Sequence, residues 1–507
     1  MPAHTPRDET AGSLQGLALW AAACLLAMAN FIAVMDMTIA NVSLPHIAGA
    51  LGVSPTQGIW VITAYSVAEA IAVPLAGWLA ARFGPVRVLV TAMTCFAVFS
   101  ALCGLSVSLP MLVGARVLQG LSGGPMIPMA QTLLRQIFPR NKLNTAMTLF
   151  AMTATLAPIA GPMVGGWICD QLSWPWLFYI TVPIGLAGAV LIAKTLRRYE
   201  TPSQRRTVDV VGFGLLVAWV APLQIMLDLG KDHNWFASAL ICALAIAAAI
   251  GFLAFLIWEL TEPMPIINLH VFRHRNFAIA TVTLCAVFGA FFGVNVIVPL
   301  WLQTSMGYTA TWAGRATAWG SIFSLVMAPL MPRIVAVVDR RWLVSGGVAW
   351  VAAVTIFARA AATPQMDYWH IALPIMLAGL GMPFFVVPLT SLSLSSVEPH
   401  EVASAAGLNS FVRTFSAALA ASVLGTLWES DTTAIRASLA GRLQPQWLAG
   451  DSNPDSQRGV LDRLLQDQAV TLATNHVVWL LGFSFVAGAA LIWLAKRDDH
   501  SGQPLPK

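Results

Sequence analysis

The stretch LALWAAACLLAMANFIAVMDMTIANVSLP, residues 17–45, decides the fold of this chain. It is one apolar run of membrane-crossing length with a single carboxylate, Asp36, set inside it. Backbone groups in hydrocarbon must satisfy one another, so the run is expected to be an α-helical span. A carboxylate there is costly unless it has a partner or a water-filled cavity, so Asp36 needs a reason to be present.

If the span ends near Leu44, Asp36 lies about 8 residues, or ~12 Å, from that end. A later apolar run begins near Leu109 and returns, placing Arg116 ~10 Å from the same surface. Arg cannot shed its proton in lipid and must meet a carboxylate, a carbonyl or water. Asp36 and Arg116 are therefore expected at one depth, with Asp36 carrying a proton whose affinity movements of Arg116 would tune. A permanent ion pair holding two helices together is the other outcome.

The rest of the chain agrees with a membrane solvent. Its 507 residues are 57% hydrophobic and 10% charged, with mean hydropathy +0.73, more apolar surface than one soluble core could bury. The expected class is an all-α polytopic membrane protein, with spans near 17–44, 57–81, 86–106, 110–133, 143–168, 174–197, 208–229, 236–259, 276–304, 310–334, 342–362, 368–394, 403–427 and 473–496. Short alternating segments of the β-barrel kind are absent. Of the 28 Lys and Arg, nineteen fall on the side of the N-terminus, seven on the other and two inside spans. Both termini are thus expected in the cytoplasm.

Fourteen spans with both ends on one side suit two six-helix bundles with an inserted pair. The expected division is an N-tail 1–16, a first bundle 17–197, a basic linker with inserted helices 198–275, a second bundle 276–496 and a C-tail 497–507. Residues 428–472 are expected to form a long outer loop, with one or two helical turns around Val460 to Leu465. Cys24, Cys95, Cys103, Cys169, Cys242 and Cys285 lie within or at the ends of apolar runs, with no CxxC, and are expected as apolar fillers.

Further charges lie at depth. Glu69, ~18 Å into the second span, is a candidate second proton site or a contact for cationic substrates, or else a buried neutral carboxyl. Arg413, ~15 Å into the thirteenth span, could attract anions, pair with Glu69 or bind carbonyls. Gly161, Pro162, Gly165 and Gly166 sit in a run of small residues and prolines that allows close packing and bending. The joint from Gly77 through Arg82 and Gly84 to Arg87 is a tight basic turn that anchors topology. Asp228 and Glu259 sit near span ends, where water is close, and need no special role.

These residues together resemble the major facilitator superfamily, and within it the fourteen-span drug:proton antiporters of the EmrB/QacA type. Asp36 to Pro45 is similar to that branch's first-span motif, Arg116 to Gly120 to the RxxQG motif, and Gly161 to Gly166 to the antiporter motif. Leu223 to Asp228, and Pro388-Leu389-Thr390 with Asn409 to Thr414, resemble the EmrB branch specifically. The joint departs from the superfamily pattern at Ala81, where an acid is usual, and at Pro85, where a basic residue is usual.

The resemblance implies alternating access driven by the proton gradient, with no cofactor, with proton coupling at the first-span Asp and the RxxQG Arg, and with gating at Gly77, Arg82, Gly84 and Arg87. It implies export of hydrophobic or amphipathic small molecules across the inner membrane. It also implies a periplasmic adaptor of the EmrA kind and an outer-membrane channel of the TolC kind. A dedicated exporter of a single metabolite is the rival within transport. GxxxxGK[ST] and HExxH are both missing and the nine His are scattered, which argues against an enzyme. Ionisable residues are too few to line a channel, and the +5 net charge needs no nucleic acid to explain it.

Overall fold

The computed structural model describes residues 16–200, 209–230, 232–263, 265–327, 330–359, 362–398, 401–442 and 454–496. Both expected tails apart from Gly16, the Arg205–Arg206 part of the linker and residues 443–453 lie outside this set. Among the described residues every regular element is helical.

The helices are α1 Gly16–Ala50, α2 Pro55–Gly58, α3 Trp60–Ala72, α4 Leu75–Phe83, α5 Pro85–Gly104, α6 Leu109–Gly123, α7 Met126–Ile137, α8 Arg140–Gln171, α9 Trp176–Tyr179, α10 Thr181–Leu196, α11 Val210–Leu229, α12 Ala239–Thr261, α13 Arg275–Thr304, α14 Ala310–Met327, α15 Met331–Val337, α16 Arg340–Val354, α17 Tyr368–Ser395, α18 Val402–Gly441 and α19 Pro454–Leu491. We call the end of the bundle where α1 starts proximal and the end where it finishes distal.

Nine helices among the described residues are long and apolar enough to cross a membrane, and ten if the bent pair Pro55–Ala72 and Leu75–Phe83 is one span. That pair bends by 55° at Val73-Pro74, where proline removes a backbone donor. In contrast α8 runs unbroken through Pro158 and Pro162. The helices α6 and α16 fall short at 15 residues each, and in α14 Gly, Ser, Thr and Arg interrupt the apolar run; small residues of this kind let helices approach closely.

Packing falls into two groups. In the first, α1 lies along α8, α3 along α6 and α5 along α10; in the second, α16 lies along α17 and α13 along α18 and α19. The groups meet where α8 packs on α14, α3 on α18 and α1 on α13. The pair α11 and α12 lies beside the α3–α18 seam, with α11 touching both of those helices.

Within the expected outer loop, residues 428–441 and 454–472 are helical. The helix α18 continues to Gly441 and α19 begins at Pro454, so both rise well past the ends expected from hydropathy. The stretches TTAIRASLAG and RGVLDRLLQDQAVTLA are rich in good helix formers, and Pro454 occupies the first helical position, where proline is tolerated. Arg436 Nη2 pairs with Asp462 Oδ1 at 2.5 Å, tying the two extensions together.

Candidate functional site

Sequence spacing places Asp36 on α1 and Arg116 on α6 at one depth, and the helices bring them into direct contact. Arg116 Nη1 donates to Asp36 Oδ2 at 2.5 Å and to Gln119 Oε1 at 2.7 Å, while Gln119 Nε2 donates to Asp36 Oδ1 at 3.0 Å. Arg116 Nε donates to the carbonyl of Val61 at 2.9 Å. The guanidinium also lies 4.2 Å from the Tyr65 ring centroid and 5.6 Å from that of Phe178. Asp36, Arg116 and Gln119 are all 0% exposed. Both carboxylate oxygens are held by charge-assisted or amide donors, which is what a buried carboxylate requires. One donor, Arg116 Nη2, is buried with no partner.

The order Arg-x-x-Gln-Gly now has a physical account. One helical turn separates Arg116 from Gln119, so both reach the same carboxylate. A Cβ on Gly120 would collide with the carbonyl of Tyr65, so glycine is what lets α6 lie close enough to α3 to put Arg116 under the Tyr65 ring. Gln119 was part of the sequence motif, and only the fold shows that it closes the triangle.

Gly161, Pro162, Gly165 and Gly166 lie where α8 crosses two helices. Gly161 and Gly165 face Thr38, Ile39 and Ser43 of α1, Gly166 faces the backbone of Ala310 and Thr311, and the carbonyl of Pro162 abuts Gly314 of α14. Beyond the apolar run, Asp170 accepts from the backbone N–H groups of Ala310 at 3.2 Å and Thr311 at 2.8 Å, capping α14 from the opposite half. Burial pushes its carboxyl up, but bonds from the Thr311 side chain and backbone, the Thr309 side chain and the Ala310 backbone outweigh that and hold it below the usual carboxylate range. Gln303 Nε2 donates to the carbonyl of Val42 at 2.7 Å in the same seam. Asp170 escaped sequence reasoning; its signal was an acid four residues past Gly166, at the end of an apolar run.

Glu69 on α3 and Arg413 on α18 face one another across the junction of the two groups without forming an ion pair, although each feels the other's charge. Glu69 is 7% exposed, and Arg413 sits 5.7 Å from the Phe288 ring. The joint containing Gly77, Arg82, Gly84 and Arg87 connects α4 to α5. Gly84 has φ +89°, a region that disfavours side chains. Glu200, from beyond α10, accepts from the backbone N–H of Val86 at 3.3 Å and of Arg87 at 2.9 Å. It also lies 3.8 Å from Arg87 Nε. The acid missing at Ala81 thus has a counterpart that arrives from distant sequence, which no local pattern could reveal. Among the described residues no group of three or more His, Cys, Asp or Glu could hold a metal ion.

Residues 26–421 match the family model of the Major Facilitator Superfamily. The chain is 37% identical over 505 residues to the "Multidrug export protein EmrB" of Escherichia coli, covering 96% of this chain and 98% of that one. It is 37% identical over 499 residues to the "Fatty acid resistance protein FarB" of Neisseria gonorrhoeae, with coverage of 96% and 98%. Among solved structures, a bacterial homologue of the human lysosomal transporter Spinster in an inward-facing, unoccupied conformation superposes with a TM-score of 0.64 at 16% identity, covering 95% and 98% of the two chains.

Proposed function

The chain belongs to the Major Facilitator Superfamily, and from that premise we propose that it is a proton-coupled exporter of hydrophobic or amphipathic toxic compounds, working by alternating access. It is a transporter and not an enzyme. The observation that carries the proton half of this proposal is the fully buried Asp36–Arg116–Gln119 triangle joining α1 to α6. With both its oxygens held, the carboxylate has no free position for a proton; drawing the guanidinium away opens one. Both residues belong to the first half, so a shift of α1 against α6 that accompanies the rocking of the halves supplies that separation, and Asp36 and Arg116 form the coupling pair. Glu69 and Arg413, at the junction of the halves, meet substrate, with Glu69 a second proton site.

The distal end is extracytoplasmic in this proposal, because positive residues crowd the proximal joints. The chain makes fourteen crossings of the cell inner membrane, as halves 17–197 and 276–496 with the linker and inserted pair at 198–275, and both termini are cytoplasmic. The Gly161 to Gly166 stretch closes the distal seam, and Gly77, Arg82, Gly84 and Arg87 form the proximal gate. The raised α18–α19 pair offers a docking surface to a periplasmic adaptor of the EmrA kind, which would lead to an outer-membrane channel of the TolC kind. The driving force is the proton gradient, with no cofactor.

The test is uptake of a fluorescent amphipathic cation into energised inside-out vesicles, with and without a protonophore. Accumulation that collapses with the gradient is expected. Accumulation indifferent to the protonophore would remove the coupling.

A further inference from the structure

Asp228, at the distal end of α11, is built into a hydrogen-bonded cluster and not merely wetted at a span end. Thr63 Oγ1 of α3 donates to its Oδ2 at 2.9 Å, and Gln224 Nε2 donates to its Oδ1 at 3.1 Å while also bonding Ser422 Oγ of α18. Asp228 lines a small cleft of about 30 Å³, room for a water, together with Thr56, Gln57, Trp60, Asp232 and Glu429. Among the described residues the charged groups that line the cleft beside it are Asp232 and Glu429, the latter with a partner of its own. Arg413, the basic residue of α18 at depth, lies nine residues or ~13 Å further along that helix than Ser422. A carboxylate kept only for helix packing would more often be given a cation. This one has neutral donors on the inside and a cleft with room for a water on the outside.

From Thr63, α3 carries Ser66 and then Glu69 at three-residue steps of ~4.5 Å, each turned about 60° around the helix from the last. Thr63 and Ser66 are both 0% exposed, and Ser66 Oγ is buried without a partner. Buried hydroxyls are rarely left so, and a water bridging Ser66 to its neighbours meets the need. The Glu69 carboxyl makes no hydrogen bond among the described residues, and the residue is 7% exposed. Asp36, by contrast, has both oxygens occupied and no exposure.

We propose that Asp228 is the port by which protons from the extracytoplasmic side reach Glu69, through the Thr63 hydroxyl and a water held by Ser66. The proposal rests on the proton-coupled function above and makes the inserted helix α11 a working part of it. A proton from water in the cleft binds the Asp228 carboxylate. It passes to the Thr63 oxygen as the Thr63 hydroxyl, rotated inward, releases its own proton to the water at Ser66, and that water protonates Glu69. Asp228 is left ionised and the hydroxyls are restored, so no other reactant is consumed.

The test uses the full chain in proteoliposomes, with an internal pH dye and a fluorescent amphipathic cation as substrate. In Asp228→Asn, substrate-linked proton flux should fall roughly tenfold or more, while cation binding and proton-independent cation exchange persist. Asp228→Glu should restore flux, and Ser66→Ala should slow it with binding intact. Proton flux at the wild-type rate in Asp228→Asn overturns the port. So does loss of cation binding along with flux, which would make Asp228 structural. A wild-type protein that moves no protons with substrate sinks the coupled function itself, a result distinct from either.

Discussion

Gln119 Nε2 and Arg116 Nη1 approach the two oxygens of Asp36 from one helical turn of α6, at 3.0 Å and 2.5 Å, inside a shell closed to solvent. The carboxylate is therefore fixed by two side chains of one helix, and its removal has two separable consequences.

Asp36→Asn keeps an amide oxygen for Arg116 but cannot ionise, so it should fold and bind substrate yet lose proton-driven accumulation. Asp36→Ala strands a buried guanidinium and should destabilise the protein by about 3–5 kcal/mol. Thermal unfolding in detergent beside vesicle transport separates the two, and full transport by Asp36→Asn would reject its role.

Gly120→Ala drives a methyl group into the Tyr65 carbonyl. The expected cost is about 1–3 kcal/mol from overpacking, together with a displaced Arg116 and reduced transport. A variant with unchanged melting and transport would show that the α3–α6 approach tolerates more space than the structure allows.

Asp170 gives the distal seam a pH dependence of known sign. Its carboxyl is held below the ordinary range, so its contribution is complete above the unfolded value of about 4 and is lost only as pH falls through the lower folded value. Between pH 5 and 8 the seam should not loosen on this account. Asp170→Ala should weaken the cap on α14 by about 0.5–2 kcal/mol and raise thiol labelling of a Gln303→Cys probe, measured in a cysteine-free background. Labelling unchanged by the substitution would show that the cap does not hold the seam.

Glu200→Ala removes the acceptor at the start of α5 and should increase proteolysis at the Gly84 joint, slowing transport without abolishing it. Gly84→Ala should be worse, because the joint needs φ +89° and an L side chain there costs about 1–2 kcal/mol.

Much of this was readable in the letters, for a definite reason. Hydrocarbon imposes a length on each helix and a cost on each charge, so apolar runs gave the helices, and Asp36 and Arg116 stood out as the charges that had to meet. What escaped was whatever depended on partners far apart in sequence. Glu200 lies more than a hundred residues from the joint it caps, and Asp170 caps a helix in the other half. Asp228 looked ordinary because its neighbours Thr63 and Ser422 come from separate helices. The extent of α18 and α19 was missed because hydropathy stops where the membrane does, whereas helix propensity carries on.

That continuity has a mechanical consequence. The 40 residues of α18 form one rod ~60 Å long, carrying Arg413 at one depth, Ser422 beside the Asp228 cluster and Glu429 at the cleft mouth, with its tip braced to α19 by Arg436 and Asp462. A tilt of roughly 10° about its middle would sweep the tip by about 5 Å. Anything gripping that tip would read the transport cycle as the swing of a lever, and could push back on it.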